Sequence, residues 1–208
     1  MVRTNRSSGA CGRRGESVDA VDEPGAKAPA PGDLRIVQLF VNSLDIEGGI
    51  ERFDSPSALG SWLHAHGLTA RRVKMGDRDL QRARSFRELL RTMALANNGH
   101  AAAPKLVGEL QRELSGLSFR IEVDPMGGLR FESAKGGLDE ALGHLVSIVT
   151  AEMIRGRWGR MKACARDVCR WVFYDHSRNR TGTWCSMAIC GSRTKVSAYY
   201  RRHRSKLR

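Results

Sequence analysis

Apolar residues between positions 33 and 154 recur mainly with the three- to four-residue spacing of amphipathic helices. After Asp33 this spacing favours a helix over a buried strand. The next helix is bounded by Ser55, Pro56 and Gly67, which are typical cap, first-turn and terminal residues. The apolar positions of these two helices are Leu34, Val37, Val41 and Leu44, then Leu59, Trp62 and Leu63.

Three further helices are predicted along the same region. The longest runs from Asp77 to about Asn97, the next begins at Pro104, and the last leads toward Arg155. In the longest helix four arginines are expected on the faces turned away from the core, namely Arg78, Arg82, Arg84 and Arg91. The apolar positions are Leu80, Ala83, Phe86, Leu90 and Met93; Leu106, Val107, Leu110 and Leu114; and Leu138, Leu142, Leu145, Val146, Val149 and Met153.

Two other stretches have the pattern of strands. Residues 119–123 and 129–131 alternate around a Pro- and Gly-containing turn, which predicts a β-hairpin. Residues 171–174 are aromatic and β-branched, which also indicates a strand, and a polar turn follows at 175–182. The pattern therefore predicts an α+β protein, with a mostly helical N-terminal domain that contains a β-hairpin, followed by a small C-terminal module.

The formal net charge of +13 lies at the C-terminal end. Residues 155–208 hold 15 of the 35 Lys and Arg but only two of the 22 Asp and Glu, whereas residues 1–154 are balanced. Residues 1–32 are rich in Gly, Ala, Pro and charge, so they are expected to be a disordered tail. The expected segments are this tail, a domain over 33–154 and a cationic module over 155–208. Such asymmetry indicates a polyanionic partner.

Composition and motifs exclude several classes of protein. No apolar run approaches the roughly 18 residues of a membrane span, and the N-terminus lacks the apolar segment of a secretory signal. A cytoplasmic protein without membrane contact is therefore expected. The sequence has no Walker-type loop, no GxSxG and no HExxH motif, so no enzyme is expected.

Four of the five cysteines form two pairs with identical spacing. Four residues separate Cys164 from Cys169 and Cys185 from Cys190, and fifteen lie between the pairs. Zinc prefers four tetrahedral ligands, so this spacing predicts one structural zinc ion bound by four thiolates. Two disulfides or four unrelated core thiols are the alternatives, and a reducing cytoplasm disfavours the disulfides. Cys11 is expected to be a free thiol apart from the cluster.

The segment 191–204, after the last cysteine, predicts a basic helix. Together with the strand before it, this helix would give a treble-clef-like finger, in which the metal replaces a large core. At least one of Tyr199 and Tyr200 is expected to pack inside the module. Basic side chains here and in the preceding turn are candidate phosphate contacts, although a solvated surface is the alternative. They are Arg178, Arg180, Arg193, Lys195, Arg201, Arg202 and Arg204, with Arg193 also a candidate for contact with a base edge.

Two roles are open for Asp175, one of only two acids in the module. It could accept hydrogen bonds from a neighbouring arginine or orient the turn around the metal, or it could be an ordinary turn residue. His176 and His203 are not expected to bind zinc, because four cysteines fill its coordination sphere.

The run Cys164-x4-Cys-Arg-Trp-Val-Phe-Tyr-Asp-His-Ser177, followed by Trp184-Cys-Ser-Met-Ala-Ile-Cys-Gly-Ser-Arg-Thr-Lys195, resembles the CGNR zinc-finger family. The resemblance implies that the four cysteines are the ligands and that the finger binds DNA, with Arg193 at the basic end of the signature. The tetrad Cys-Gly-Asn-Arg that names the family has Ser192 at its third position here.

The same resemblance implies that residues 33–154 form an α/β domain called ABATE, regarded as a stress-response regulator. It rests on Phe40-Val-Asn-Ser43 and Arg87-Glu-Leu-Leu90. This domain could sense a small-molecule effector, or it could be a scaffold or dimerisation domain. The expected function is a DNA-binding transcription regulator, with a homodimer if two half-sites are read. The alternative is a zinc-dependent adaptor that binds an acidic protein or RNA.

Overall fold

The computed structural model describes residues 27–100, 104–123 and 125–204. These ranges contain six α-helices and three separate antiparallel pairs of strands. The helices are α1 (Leu34–Val41), α2 (Pro56–Ala65), α3 (Asp77–Ala96), α4 (Pro104–Gly116), α5 (Leu138–Ile154) and α6 (Ser192–Arg204). The strands pair as β1 (Leu44–Asp45) with β2 (Ile50–Glu51), β3 (Phe119–Val123) with β4 (Leu129–Ser133), and β5 (Met161–Ala163) with β6 (Val172–Tyr174). Among the described helices, none combines the length and apolar character that a bilayer crossing requires.

Local signals explain where α2 begins and ends. The Oγ of Ser55 accepts a hydrogen bond from the N–H of Ala58 at 3.1 Å, and Pro56 occupies the first turn. Gly67, just beyond the helix, has a φ of +68°, which costs glycine little because it has no Cβ. The expected α+β class, with a mostly helical domain that contains a β-hairpin and a small C-terminal module after it, is confirmed.

The main hydrophobic core lies between α1, α2, α3 and α5. At its centre the ring centroids of Phe40 and Phe53 are 5.4 Å apart, and Trp62 packs against both rings. Phe86 of α3 and Leu142 of α5 are fully buried beside them. Burial of these large apolar side chains is the main favourable contribution to folding.

The hairpin of β5 and β6 has two differently occupied faces, because successive residues of a strand point to opposite sides. One face contributes four side chains to the main core: Met161, Ala163, Val172 and Tyr174. From the other face Phe173, with Trp171 just before β6, packs with the four cysteines in a second, smaller cluster. The hairpin therefore lies between the core of the helical domain and the smaller cluster of the C-terminal module.

Asparagine side chains tie the helices to the hairpin. Asn42, at the end of α1, accepts from the N–H of Val172 and donates to its carbonyl, both at 2.8 Å. Asn97, at the end of α3, donates to the carbonyl of Met161 at 2.8 Å. These bonds satisfy backbone groups at the hairpin that would otherwise be costly to bury.

Arg91, expected on an outer face of α3, is buried, so this expectation was wrong. Its Nε donates to the carboxylate of Glu88 at 2.9 Å. Its two NH2 groups donate to the carbonyls of Val41 and Arg170 at 2.7 and 3.0 Å. Helical periodicity treats arginine as an exposed residue, but a guanidinium tolerates burial where its donors are satisfied. Arg91 therefore joins α3 to the end of α1 and to the backbone next to Cys169.

Residues 27–32, the last part of the expected disordered tail, are placed by contacts of Lys27 and Pro29 with the C-terminal module and of Ala30 with α1, whereas residues 1–26 lie outside the described residues. The ammonium of Lys27 lies 3.7 Å from the centre of the Phe173 ring and donates to the carbonyl of Trp184 at 2.8 Å. The expectation was wrong for 27–32 because composition does not reveal a cation–π contact formed by one lysine in a polar segment.

Replacing Arg91 by methionine should destabilise the protein by about 3 kcal/mol, because the carbonyls of Val41 and Arg170 would lose a charged donor in the interior. Arg78→Met on the exposed side of the same helix is the matched control and should change stability by less than about 0.5 kcal/mol. Urea unfolding of the two variants and the parent protein measures the difference. Equal stability of the two variants would show that the buried network around Arg91 contributes nothing.

Candidate functional site

The first pair of cysteines lies in the turn between β5 and β6. Cys164 directly follows β5, and its N–H donates to the carbonyl of Trp171 at 2.9 Å. The N–H of Cys169 donates to the carbonyl of Arg166 at 3.0 Å, which closes a tight turn. Arg170 then has a φ of +51°, in the left-handed region, so the chain reverses sharply into β6.

The second pair lies where the C-terminal helix begins. Cys185 is followed by Ser186, whose Oγ accepts a hydrogen bond from the N–H of Ile189 at 3.2 Å and caps the turn. A π-helical turn, Met187–Gly191, then carries Cys190 into α6. The start of α6 is therefore set by this pair of cysteines.

The four sulfur atoms form one buried cluster. They all lie within 4.8 Å of one another, and the Sγ of Cys185 is 3.6 Å from those of Cys169 and Cys190. Sulfurs bound tetrahedrally to zinc at 2.3 Å are about 3.8 Å apart, whereas a disulfide needs about 2.05 Å. The four cysteines, which are free thiols here, therefore fit one structural zinc ion and not two disulfides.

Electrostatics in the cluster also favours a cation. The hydrogen bond with Cys164 raises the pKa of Cys169 to about 12. Contacts with Cys164 and Cys169 raise the pKa of Cys185 further. Several thiolates cannot lie this close in a buried site unless a positive charge balances them. A zinc ion, when bound, supplies that charge and joins the two halves of the site.

Two family profiles match the chain, in the order that the sequence resemblance implied. The ABATE profile, described as "Putative stress-induced transcription regulator", matches residues 34–168, more than half of the chain. The chain belongs to the ABATE family. The CGNR zinc-finger profile matches residues 160–203, which include all four cysteines. None of the curated proteins matches the chain.

A buried ion pair organises the loop of the CGNR finger that leads from β6 to Cys185. The ammonium of Lys162 is 2.8 Å from the carboxylate of Asp175, and both side chains are almost fully buried. Asp175 also accepts from the N–H groups of Ser177 and Gly182, at 3.0 and 2.7 Å. Burial opposes ionisation of Asp175, but these hydrogen bonds outweigh it and lower its pKa. Asp175 therefore orients the loop, with a lysine as its charged partner where an arginine was expected.

Helix α6 of the CGNR finger is open to solvent. Every side chain of the helix whose burial the structure describes is exposed, apart from the half-buried Thr194. Tyr199 and Tyr200 are 52% and 64% exposed, so the expectation that one of them packs inside the module was wrong. The second cluster ends near the start of α6, and Tyr199 packs instead on His203, with ring centroids 4.0 Å apart.

All of the candidate nucleic-acid contacts stay predictions. Lys195 is exposed on α6, and Arg178 and Arg180 are exposed on the loop between β6 and Cys185. Three side chains on α6 lie outside the described part of the chain, namely Arg201, Arg202 and Arg204, as does the tail residue Cys11.

Arg193 is held by an acid from the ABATE domain. Its Nη1 is 2.6 Å from the Oε1 of Glu47, in the turn between β1 and β2, and the Nη1 of Arg166 lies 2.6 Å from the same oxygen. The sequence interpretation missed Glu47 and the second arginine, Arg166, that shares it with Arg193. Arg166 lies two residues after Cys164, and this position could have indicated that its side chain is close to the metal site. No local pattern indicates a glutamate more than a hundred residues away.

Ser192 stands where the CGNR tetrad has asparagine. Its Oγ donates to the carbonyl of Met187 at 3.2 Å, so it binds within its own turn. Gly191 beside it is closely packed, since a Cβ there would lie 2.4 Å from the Sδ of Met187. The glycine therefore leaves the space that Met187 occupies, and the serine satisfies a carbonyl at the start of α6.

Replacing Asp175 by asparagine should destabilise the protein by about 2 kcal/mol, because Lys162 would be buried without a counter-charge. Folding lowers the pKa of Asp175 from an ordinary value near 3.9, so its stabilising effect is present above about pH 4 and is lost as the pH falls further. Urea unfolding of the zinc-saturated proteins at pH 7 measures the effect.

The matched control is Asp167→Asn, which removes an exposed acid that pairs with Arg170 in the same finger. This change should have little effect on stability. If both variants unfolded at the urea concentration of the parent protein, Asp175 would be an ordinary turn residue.

Proposed function

We propose that this chain is a DNA-binding regulator without enzymatic activity, in which the zinc finger presents α6 to DNA. The exposure of α6 carries the proposal. Its thirteen residues, Ser192–Arg204, include five Lys or Arg and no Asp or Glu. An exposed helix of this charge fits the major groove, where its basic side chains can reach phosphates and base edges.

The electrostatics of the whole finger supports a polyanionic partner. The finger holds only two acids, and each is already bound to a basic residue, Asp175 to Lys162 and Asp167 to Arg170. The other basic side chains of residues 155–208 therefore have no acid of their own segment to neutralise them. Binding to such a surface is driven by counterion release from the nucleic acid and weakens as salt rises.

The family description supports a regulatory role, since the ABATE profile is that of a stress-induced transcription regulator. A cytoplasmic location and a homodimer both stay predictions. A small-molecule effector of the ABATE domain also stays a prediction.

RNA is the second candidate partner, and the exposed pair Tyr199 and Tyr200 favours it specifically. Unpaired bases stack on exposed aromatic rings, a mode of binding common among proteins that bind single strands. Duplex DNA offers no unstacked base, so it would leave these two rings without such a role.

The proposal predicts that Lys195→Glu on α6 lowers affinity for duplex DNA about tenfold at low salt and reduces the salt dependence of binding. Lys105→Glu on α4, equally a charge reversal at an exposed lysine, should leave both unchanged. Fluorescence anisotropy with labelled genomic duplexes between about 50 and 200 mM salt gives both quantities.

The same titration with single-stranded RNA and with zinc-depleted protein completes the test. Duplex binding that needs zinc and is impaired by Lys195→Glu supports the proposal. Tighter binding of RNA than of duplex DNA would favour the second candidate. No binding of either nucleic acid at the lowest salt would overturn both and leave an acidic protein as the partner.

A further inference from the structure

One carboxylate of the ABATE domain bridges two arginines of the finger. The Oε1 of Glu47 lies 2.6 Å from the Nη1 of Arg166 and 2.6 Å from the Nη1 of Arg193. The two arginines belong to opposite halves of the metal site, because Arg166 lies between Cys164 and Cys169 and Arg193 follows Cys190. The cysteine cluster therefore fixes the separation of two guanidinium groups that share one oxygen.

This arrangement has the chemistry of a phosphate site. Guanidinium groups bind carboxylate and phosphate oxygens with the same charge-assisted hydrogen bonds. Two positive charges face one negative charge here, so a phosphodiester group in place of the carboxylate would leave the charge balance unchanged. The side chains of Glu47, Arg166 and Arg193 are 36%, 23% and 56% exposed, so a ligand can reach the group from solvent.

Glu47 lies near the tip of a short turn whose base is fixed. The strands β1 and β2 have only two residues each, and Gly48 and Gly49 follow Glu47 at the tip. The base is fixed, because Arg91 donates to the carbonyl of Leu44 at 3.2 Å and a bidentate arginine, Arg87, holds Glu51. The Glu47 side chain is partly exposed, so its rotation to another rotamer can release the two arginines while the turn and the ABATE domain stay folded.

We propose that Arg166 and Arg193 form a binding site for a backbone phosphate of DNA, and that Glu47 occupies this site as an internal competitor. The inference rests on the proposed DNA-binding function and adds to it a phosphate-binding site and an autoinhibitory contact. DNA gains these two contacts only when Glu47 is displaced. The position of the Glu47 side chain thus controls how much of the finger's charge is available to DNA.

The test compares Glu47→Gln with Glu109→Gln in the anisotropy assay. Both changes remove one negative charge from a side chain of nearly equal exposure, 36% and 37%, so their effect on net charge is the same. Glu47→Gln should bind duplex DNA about fivefold more tightly than the parent protein, the amount expected from two partly exposed ion pairs. Its salt dependence should also be steeper, since two more arginines reach phosphate. Glu109→Gln should match the parent in both respects.

A mutant cycle assigns the gain to the two arginines. Combining Glu47→Gln with Arg166→Gln and Arg193→Gln should abolish the gain in DNA affinity, because the two arginines that Glu47→Gln releases are then absent. If the parent protein binds DNA but Glu47→Gln behaves like Glu109→Gln, the phosphate site is wrong and DNA binding stands. If neither the parent nor Glu47→Gln binds DNA at low salt, the proposed function itself fails.

Discussion

Burial of the β5–β6 hairpin on both faces is the constraint on which the rest of the structure depends. Three-residue strands cannot form a stable sheet alone, so each face needs a partner. One face adds Met161 and Val172 to the core of the ABATE domain, and the other packs Phe173 against the cysteine cluster. The finger is therefore continuous with the domain, and the zinc site closes the side that the helices do not cover.

Polar contacts connect the hairpin to the helices and shape the loop that leads to the basic helix α6. Arg91 and Asn42 attach the hairpin to α3 and α1, and the Lys162–Asp175 pair shapes the loop that brings Cys185 to the cluster. Because Cys190 leads directly into α6, the direction of that helix depends on the metal site. Glu47 alone reaches from the ABATE domain to a basic residue of this helix among the ion pairs of the described residues. Packing of the hairpin and the ion pair of Glu47 thus link the ABATE domain to the number of basic side chains that the finger can present to a partner.

Sequence patterns predicted the parts of this design that local spacing determines. The two Cys-x4-Cys pairs predicted the zinc site, and periods of 3.6 and 2 located α3 and the β3–β4 hairpin. Long-range pairing was out of reach, because the burial of Arg91 and the bridge from Glu47 depend on partners far away in the chain. Lys27 was missed for the same reason, since its contact with Phe173 joins residues more than a hundred positions apart.

The central claim is that four sulfurs around one zinc ion hold α6 on a hairpin whose other face belongs to the ABATE domain. Hydrogen exchange of zinc-loaded and metal-free protein, with the bound zinc counted by native mass spectrometry, tests it most directly. We predict one zinc ion per chain and, after its removal, loss of protection in residues 185–204 while α1 and α3 stay protected. A protein that binds no zinc and yet protects residues 185–204 would contradict the account.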